Sequence, residues 1–341
     1  MNSKFIFYIL SILTLLLVFL DISLGTSIIP LSKIVHFLTL QLPSSDEHFL
    51  ILNTIRLPRI LAAVASGICI STGGLLMQTF FKNPLAGPYV LGISSGATLG
   101  VGVFIMSYPF LQSFLPERFI SIGISGFAIL GAVIFMIIIF LVSLRIQQSL
   151  TVLIAGILLG TTANAIINVI QYSTGSLELK SFVLWNMGNI NNTDSVVSLS
   201  IISIGIFSII TLLYFSKWFD IWLIGEEQAT SLGLNKNRFT FIVFTTTAIL
   251  TGLSTAYFGP IAFIGLISPH IARILLKTNI HAYLIPATTL IGICLMLLAD
   301  ILLQLFAVTF SGALLPLNTV TSLLSAPLLI YLFLKKRELW M

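Results

Sequence analysis

Polar side chains set inside long apolar runs are where this sequence could do chemistry. Between residues 151 and 171, Gly156, Gly160, Asn164, Asn168 and Gln171 recur at spacings of three and four, which on a helix aligns small and amide side chains along one face. Near the C-terminal end Asn318, Thr321 or Ser322, and Ser325 form a second stripe of helical spacing. Such stripes serve either interhelical hydrogen bonding, with close packing at the glycines, or a hydrated path for a solute. The two together favour a path. Gly67, Ser71, Gly74 and Gln78 also share a face, and there the small residues read as a surface for close helix packing.

Charges are few and placed unevenly. Asp300 is the carboxylate lying well inside an apolar run, so it must be paired, protonated or in contact with water. A proton-coupled carrier would want such an acid. No intramembrane base or histidine chain accompanies it in the sequence, so a hydrogen-bonding staple near the outer end of its span is the preferred reading. Arg56-Leu-Pro-Arg59 stands just before another apolar run, where the proline restricts the chain and helps place two fixed cations at the outer face. Snorkelling membrane anchors are the alternative.

The elements that must position these groups are membrane-spanning helices. Of 341 residues 57% are hydrophobic and 8% charged, far more apolar surface than a soluble domain can bury. Lipid leaves backbone groups to be satisfied within each segment, and no period-two pattern supports a barrel, so the apolar runs are helices. They fall near 5–20, 60–80, 88–107, 119–143, 151–171, 195–215, 239–258, 261–276, 283–305 and 317–334, about ten spans in one transmembrane domain covering 1–341. The first follows Lys4, and Asp21-Ile-Ser-Leu-Gly lacks a small-x-small cleavage site, so it reads as an uncleaved helix. Both termini then share one side. If that side is cytoplasmic, it receives eleven Lys and Arg residues against five outside, as the positive-inside rule requires. The formal charge of +5 is scattered over loops rather than gathered on one face, which argues against nucleic acid as a partner.

Cys69 and Cys294 sit within apolar runs and read as small buried hydrophobes. Two long loops stand out, an outer one from Asp21 to Thr54 and an inner one, 216–238, with Trp218, Trp222 and Glu226-Glu227. Gly87-Pro88 through Ser94 faintly echoes Gly259-Pro260 through Ser268, and this topology puts the two on opposite membrane sides, as an inverted repeat would. There is no His-Glu-x-x-His pair, nucleophile elbow or phosphate-binding Gly-Lys loop, so any ATP would be hydrolysed by another chain.

Several ordered motifs carry a resemblance along nearly the whole chain. Arg56-Leu-Pro-Arg59 is followed by Gln78 through Asn83-Pro84-Leu85-Ala86-Gly-Pro88 and Leu91-Gly92 through Gly96-Ala97. Then come Ala155-Gly156 to Gly160, Trp185 to Gly188, Gly225-Glu226-Glu227-Gln-Ala229 to Leu232-Gly233, Gly265 to Pro269-His270 and Arg273, Ala299-Asp300 and Ala326-Pro327. This set resembles the FecCD-type permease family of iron-siderophore, haem and vitamin B12 ABC importers.

The resemblance implies an all-α, type II ABC importer permease fold in the bacterial inner membrane. It implies a second permease copy, identical or related, around a central path, two cytoplasmic ATPase subunits that use ATP and Mg, and an external substrate-binding protein. No cofactor is expected on this chain itself. By the same carry-over Arg56 and Arg59 meet acids of the binding protein, and Gly225, Glu226, Glu227, Ala229, Leu232 and Gly233 form the coupling helix seated in an ATPase. The fifth and last spans line the path, and Gln147, Gln148, Ser149 and Leu150 lie near a cytoplasmic gate. The chain departs from the pattern at Gln304, where the family often has Arg, at Leu315-Pro316-Leu317-Asn318, and at Thr278-Asn279-Ile280-His281. An ion-coupled secondary transporter using Asp300 or the amide stripe is the competing reading.

Overall fold

The computed structural model describes residues 3–25, 29–39, 41–89, 92–111, 119–146, 148–191, 193–310 and 315–335, and among them there is no strand. With the end of the bundle where α1 (Ser3–Ser23) begins called the inner one, α1 leads to an outer loop holding α2 (Leu31–Leu38) and α3 (Glu47–Ile51). A π turn (Leu52–Arg56) joins α3 to α4 (Leu57–Phe80). Then follow α5 (Ile93–Leu111), α6 (Phe119–Arg145), α7 (Ser149–Tyr172), α8 (Ser176–Asn186) and α9 (Ser195–Tyr214). After α10 (Ser216–Ile224) and α11 (Glu226–Ser231) come α12 (Lys236–Phe258), α13 (Ile264–Leu276), α14 (His281–Thr309) and α15 (Leu317–Lys335). Among the described residues seven helices are long and apolar enough to cross a membrane, and three shorter apolar ones, α5, α13 and α15, accompany them, which matches the ten predicted spans.

Helix α4 is the axis of the bundle, with 89% of its apolar stretch buried, whereas α1, α6, α7 and α9 are mostly exposed at the periphery. Its predicted packing face is real. A Cβ on Gly67 would lie 2.7 Å from the Ile293 Cα, and one on Gly74 would overlap the Gly265 carbonyl. The absent side chains let α14 and α13 approach backbone to backbone, so contact with α4 needs no large residue on either side. Helices α4 and α14 run antiparallel, linked by Thr72 and Thr289 hydroxyls 3.1 Å apart.

Helix α13 begins later than its apolar run. Gly259 and Phe263 both have positive φ (76° and 66°), so 259–263 is unwound and α13 keeps 13 residues. At 1.5 Å per residue that is about 20 Å, short of the ~30 Å hydrocarbon layer. Irregular backbone at such depth is stable only when enclosed by protein. Accordingly the Ala262 N–H donates to the Asn318 side-chain oxygen at 3.1 Å, and Asn189 N–H to the Phe258 carbonyl at 2.9 Å. The two echoing segments meet in the structure: a Cβ on Gly87 would stand 3.1 Å from the Leu266 side chain, and one on Gly265 3.4 Å from Pro88.

The outer end is held by charge. Arg59 Nε donates to both oxygens of Asp300 at 2.6 and 2.8 Å, and its Nη2 lies 2.6 Å from Oδ1. Gln304 extends the group, donating to Asp300 Oδ2 at 3.1 Å and to Asp21 of α1. Arg56, 5% exposed, donates to the Ile22 carbonyl at 2.5 Å and so caps the end of α1. Asp300 is therefore the staple the sequence suggested, and its base is Arg59, 241 residues away.

Two stability outcomes follow from this packing. Asp300→Ala strands a buried guanidinium and should cost about 3–5 kcal/mol, whereas the double change Arg59→Leu/Asp300→Leu should cost less. Thermal melting in detergent reads both, and a double variant weaker than the single would refute the pairing. In the same assay Gly74→Val should destabilise by about 1–3 kcal/mol through overpacking. Gly126→Ala, whose added Cβ meets nothing within 4 Å, should be neutral.

Candidate functional site

The α7 stripe divides. Gly156 and Gly160 pack on the start of α5, where a Cβ on Gly92 would stand 3.2 Å from the Gly156 carbonyl and one on Gly160 3.3 Å from Ser95 Oγ. Asn164 and Asn168 are exposed on the surface of the chain and Gln171 is half-buried. The expectation of one shared face is corrected by helix geometry. At 100° per residue a step of four overshoots a full turn by about 40°, so two steps carry an amide away from the glycine face. Glycines serve packing and amides look outward.

The α15 stripe lies mostly within the chain's own packing: Thr321 and Ser325 are buried, 0% and 1% exposed, and Ser322 is half-buried. Asn318 plays a different part, since besides accepting from Ala262 it donates its backbone N–H to the Met187 carbonyl at 3.1 Å. It clasps the unwound 259–263 segment, the end of α8 and the start of α15 together. Arg56 and Arg59, assigned from the sequence to an external partner, are turned into the chain, because guanidinium groups at this depth require internal acceptors. The Gln78 amide, from the packing face of α4, donates to the Leu266 carbonyl at 3.0 Å and accepts from Arg273 at 2.5 Å, tying α4 to α13. Cys69 and Cys294 are both free and buried.

At the inner face, Gln148 is exposed just before α7 and accepts the Thr151 N–H at 3.1 Å. Ser149 opens the helix and Leu150 is exposed, whereas Gln147 lies outside the described residues. The loop 216–238 folds into two helices with a glycine at each end of the second. Gly225 lets the chain turn between α10 and α11. Gly233 follows α11 with φ 90°, a left-handed turn in which its N–H donates to the Thr230 carbonyl at 2.9 Å. Ala229 is fully buried beneath α11, Glu226 pairs with Lys236, and Glu227 and Leu232 project outward, Leu232 being 64% exposed.

Beneath α10 lies a buried aromatic cluster. Trp222 stacks on Phe80 and donates its indole N–H to the Phe80 carbonyl at 2.9 Å, and Lys82 lies 5.4 Å over its ring. Sequence reasoning missed Asp220, which accepts from the backbone N–H and Nδ1 of His281 at 2.9 and 2.6 Å. Burial alone would raise the Asp220 carboxyl, but the His281 hydrogen bonds outweigh it and hold the group below the usual carboxylate range. An acid placed among the aromatics of the inner loop was the available signal.

Known proteins can be set beside this geometry. The profile of the FecCD transport family matches residues 13–335. The hemin transport system permease HmuU of Yersinia pestis is 34% identical, covering 86% of each chain. The vitamin B12 import system permease BtuC of Photorhabdus laumondii is 34% identical over 83% of this chain and 82% of its own. A metal-chelate type ABC transporter solved in an inward-facing conformation superposes with a TM-score of 0.81 at 25% identity, covering 98% of this chain and 100% of that one. The architecture is thus that of a type II ABC importer permease. With the family profile matched from residue 13 to residue 335 and such relatives aligned along most of both chains, the chain belongs to the FecCD transport family.

Proposed function

We propose that this permease conducts an iron chelate, haem or a corrinoid across the bacterial inner membrane, driven by two ATP-hydrolysing subunits and supplied by an external binding protein. The observation that carries the reading is α11, a glycine-bounded helix between α9 and α12 that buries Ala229 against its own chain and presents Glu227 and Leu232 outward. A carrier that needs no partner has no use for such an element; a permease moved by an ATPase needs a short, rigid, protruding one. Both termini would then be cytoplasmic, with α11 on the same side.

The exposed amides of α7 support a path shared with a second copy. Asn164 and Asn168 on a lipid-facing surface would be costly, whereas facing a hydrated channel between two protomers they are satisfied. The competing ion-coupled carrier is disfavoured by Asp300, whose carboxylate is held by Arg59 and Gln304 inside the outer staple and so is not poised to bind and release an ion. Haem, corrinoids and metal chelates are the cargo classes named for the relatives, and any of them would suit a broad polar path.

The test is uptake of labelled haem, cobalamin and ferric siderophore into vesicles holding the permease, its ATPase and its binding protein. ATP-dependent uptake of one of them is expected. Gly233→Asp, forced into a left-handed conformation at a cost of about 1–2 kcal/mol, should abolish uptake while binding-protein attachment persists. Uptake driven by an ion gradient without ATP would overturn the proposal.

A further inference from the structure

Helix α10 is joined to the two central helices in two places, by the Trp222 indole on the Phe80 carbonyl at the end of α4 and by a separate chain of hydrogen bonds that starts at Asp220 and reaches both helices. Asp220 Oδ1 accepts both the backbone N–H of His281, the first residue of α14, and its Nδ1. A carboxylate can only accept, so Nδ1 carries a proton, and in the neutral imidazole Nε2 is then an acceptor. Thr79 Oγ, in the last turn of α4, lies 2.8 Å from Nε2 and is its donor in that form. His281 is almost wholly buried and packs against Phe219 of α10, the rings tilted by 31° with centroids 5.3 Å apart.

This link also supplies what α14 lacks at its own start. The residue preceding α14, Ile280, has no side chain able to cap the helix, and no cap bond forms there. The orphan N–H groups of a helix start need an acceptor, and Asp220 supplies one from another helix. Any displacement of α10 therefore pulls on the first turn of α14 and, through the imidazole, on the last turn of α4. Asp220 itself is partly open to a cleft of about 340 Å³ at the inner face, lined by Leu223, Ile224, Asn279 and Ile280.

Helices α4 and α14 in turn behave as one rod. Their backbones touch at Gly67 and Gly292, their hydroxyls meet at Thr72 and Thr289, and their far ends are locked by Arg59 and Asp300. Thr79 and Arg59 are 20 residues apart on α4, so the rod carries a shift at the inner face across about 30 Å.

We propose that Asp220, His281 and Thr79 form the joint through which movement of the α10–α11 segment reaches the α4–α14 pair, and hence the outer end of the transporter. Asp220 and His281 are positioning residues that touch no cargo. The inference deepens the importer reading and rests on it. It also gives a role to the divergent turn Thr278-Asn279-Ile280-His281, which holds the receiving end of the joint.

The decisive quantity is cargo imported per ATP hydrolysed, measured in vesicles with the full transporter. Loss of folded protein lowers both rates together and leaves this ratio unchanged, so the ratio separates transmission from mere stability. Asp220→Ala and Thr79→Val, which break the joint at opposite ends, should each lower the ratio at least about fivefold, the lower range of typical coupling between sites. Asp220→Asn keeps an accepting oxygen and should retain most of it. A ratio unchanged in both Asp220→Ala and Thr79→Val overturns the inference. If Asp220→Ala fails to assemble with its ATPase on size exclusion, Thr79→Val alone decides by the same criterion. Wild-type vesicles without ATP-driven uptake would instead overturn the importer reading, and the inference with it.

Discussion

Lipid offers no hydrogen-bond partner, and much of the architecture of this chain follows from answering backbone and charged groups internally. Several hydroxyls within the bundle turn back on their own helices: Ser71 donates to the Gly67 carbonyl at 2.6 Å, Thr251 to Thr247 at 2.6 Å and Ser268 to Ile264 at 2.7 Å. Longer polar groups find partners on other helices. Arg59 takes Asp300, Gln78 takes Leu266 and Arg273, and Asn318 takes the exposed backbone of the unwound segment. A central helix as rich in glycine, serine and threonine as α4 can be almost wholly buried only because each of these groups is answered or absent.

The same constraint explains what was legible in the sequence. Ten spans could be read because hydropathy and span length are local properties, and the α4 packing face could be read because helical spacing is local too. The glycines bounding α11 stand out for a similar reason, since each permits a backbone path that other residues resist. Partnerships across the chain were not legible. Asp300 looked unpaired because its base is 241 residues away, and Asp21 and Gln304 are 283 apart. Nothing in local spacing announces that an arginine before one span and an aspartate inside another share a level of the membrane.

Two other failures have different physical causes. Assigning Gly156, Gly160, Asn164, Asn168 and Gln171 to one face ignored the drift of a four-residue repeat, which is small per step and decisive over three. Starting a helix at 261 ignored that apolar character does not by itself make a helix, which here begins only at Ile264. The Gly259-Pro260 pair and the left-handed Phe263 interrupt the helix, and the interruption survives because Asn318 and neighbouring backbone enclose it. Residues that look like path lining by composition can thus be structural clasps.

The placement of rigid and adjustable parts points to how such a chain can change state. Glycine contacts and the Arg59–Asp300 lock make α4 and α14 a stiff pair, since backbone-to-backbone packing leaves no side chain to rearrange. By contrast α10 meets α11 through Gly225, and it meets this pair both through the buried Trp222–Phe80 contact and through Asp220, a partly exposed carboxylate at the edge of a cleft. Stiffness lies where a displacement must be carried, and conformational freedom lies where one must enter. A bundle that was uniformly soft would dissipate a push at its inner face, and one that was uniformly stiff would never accept it.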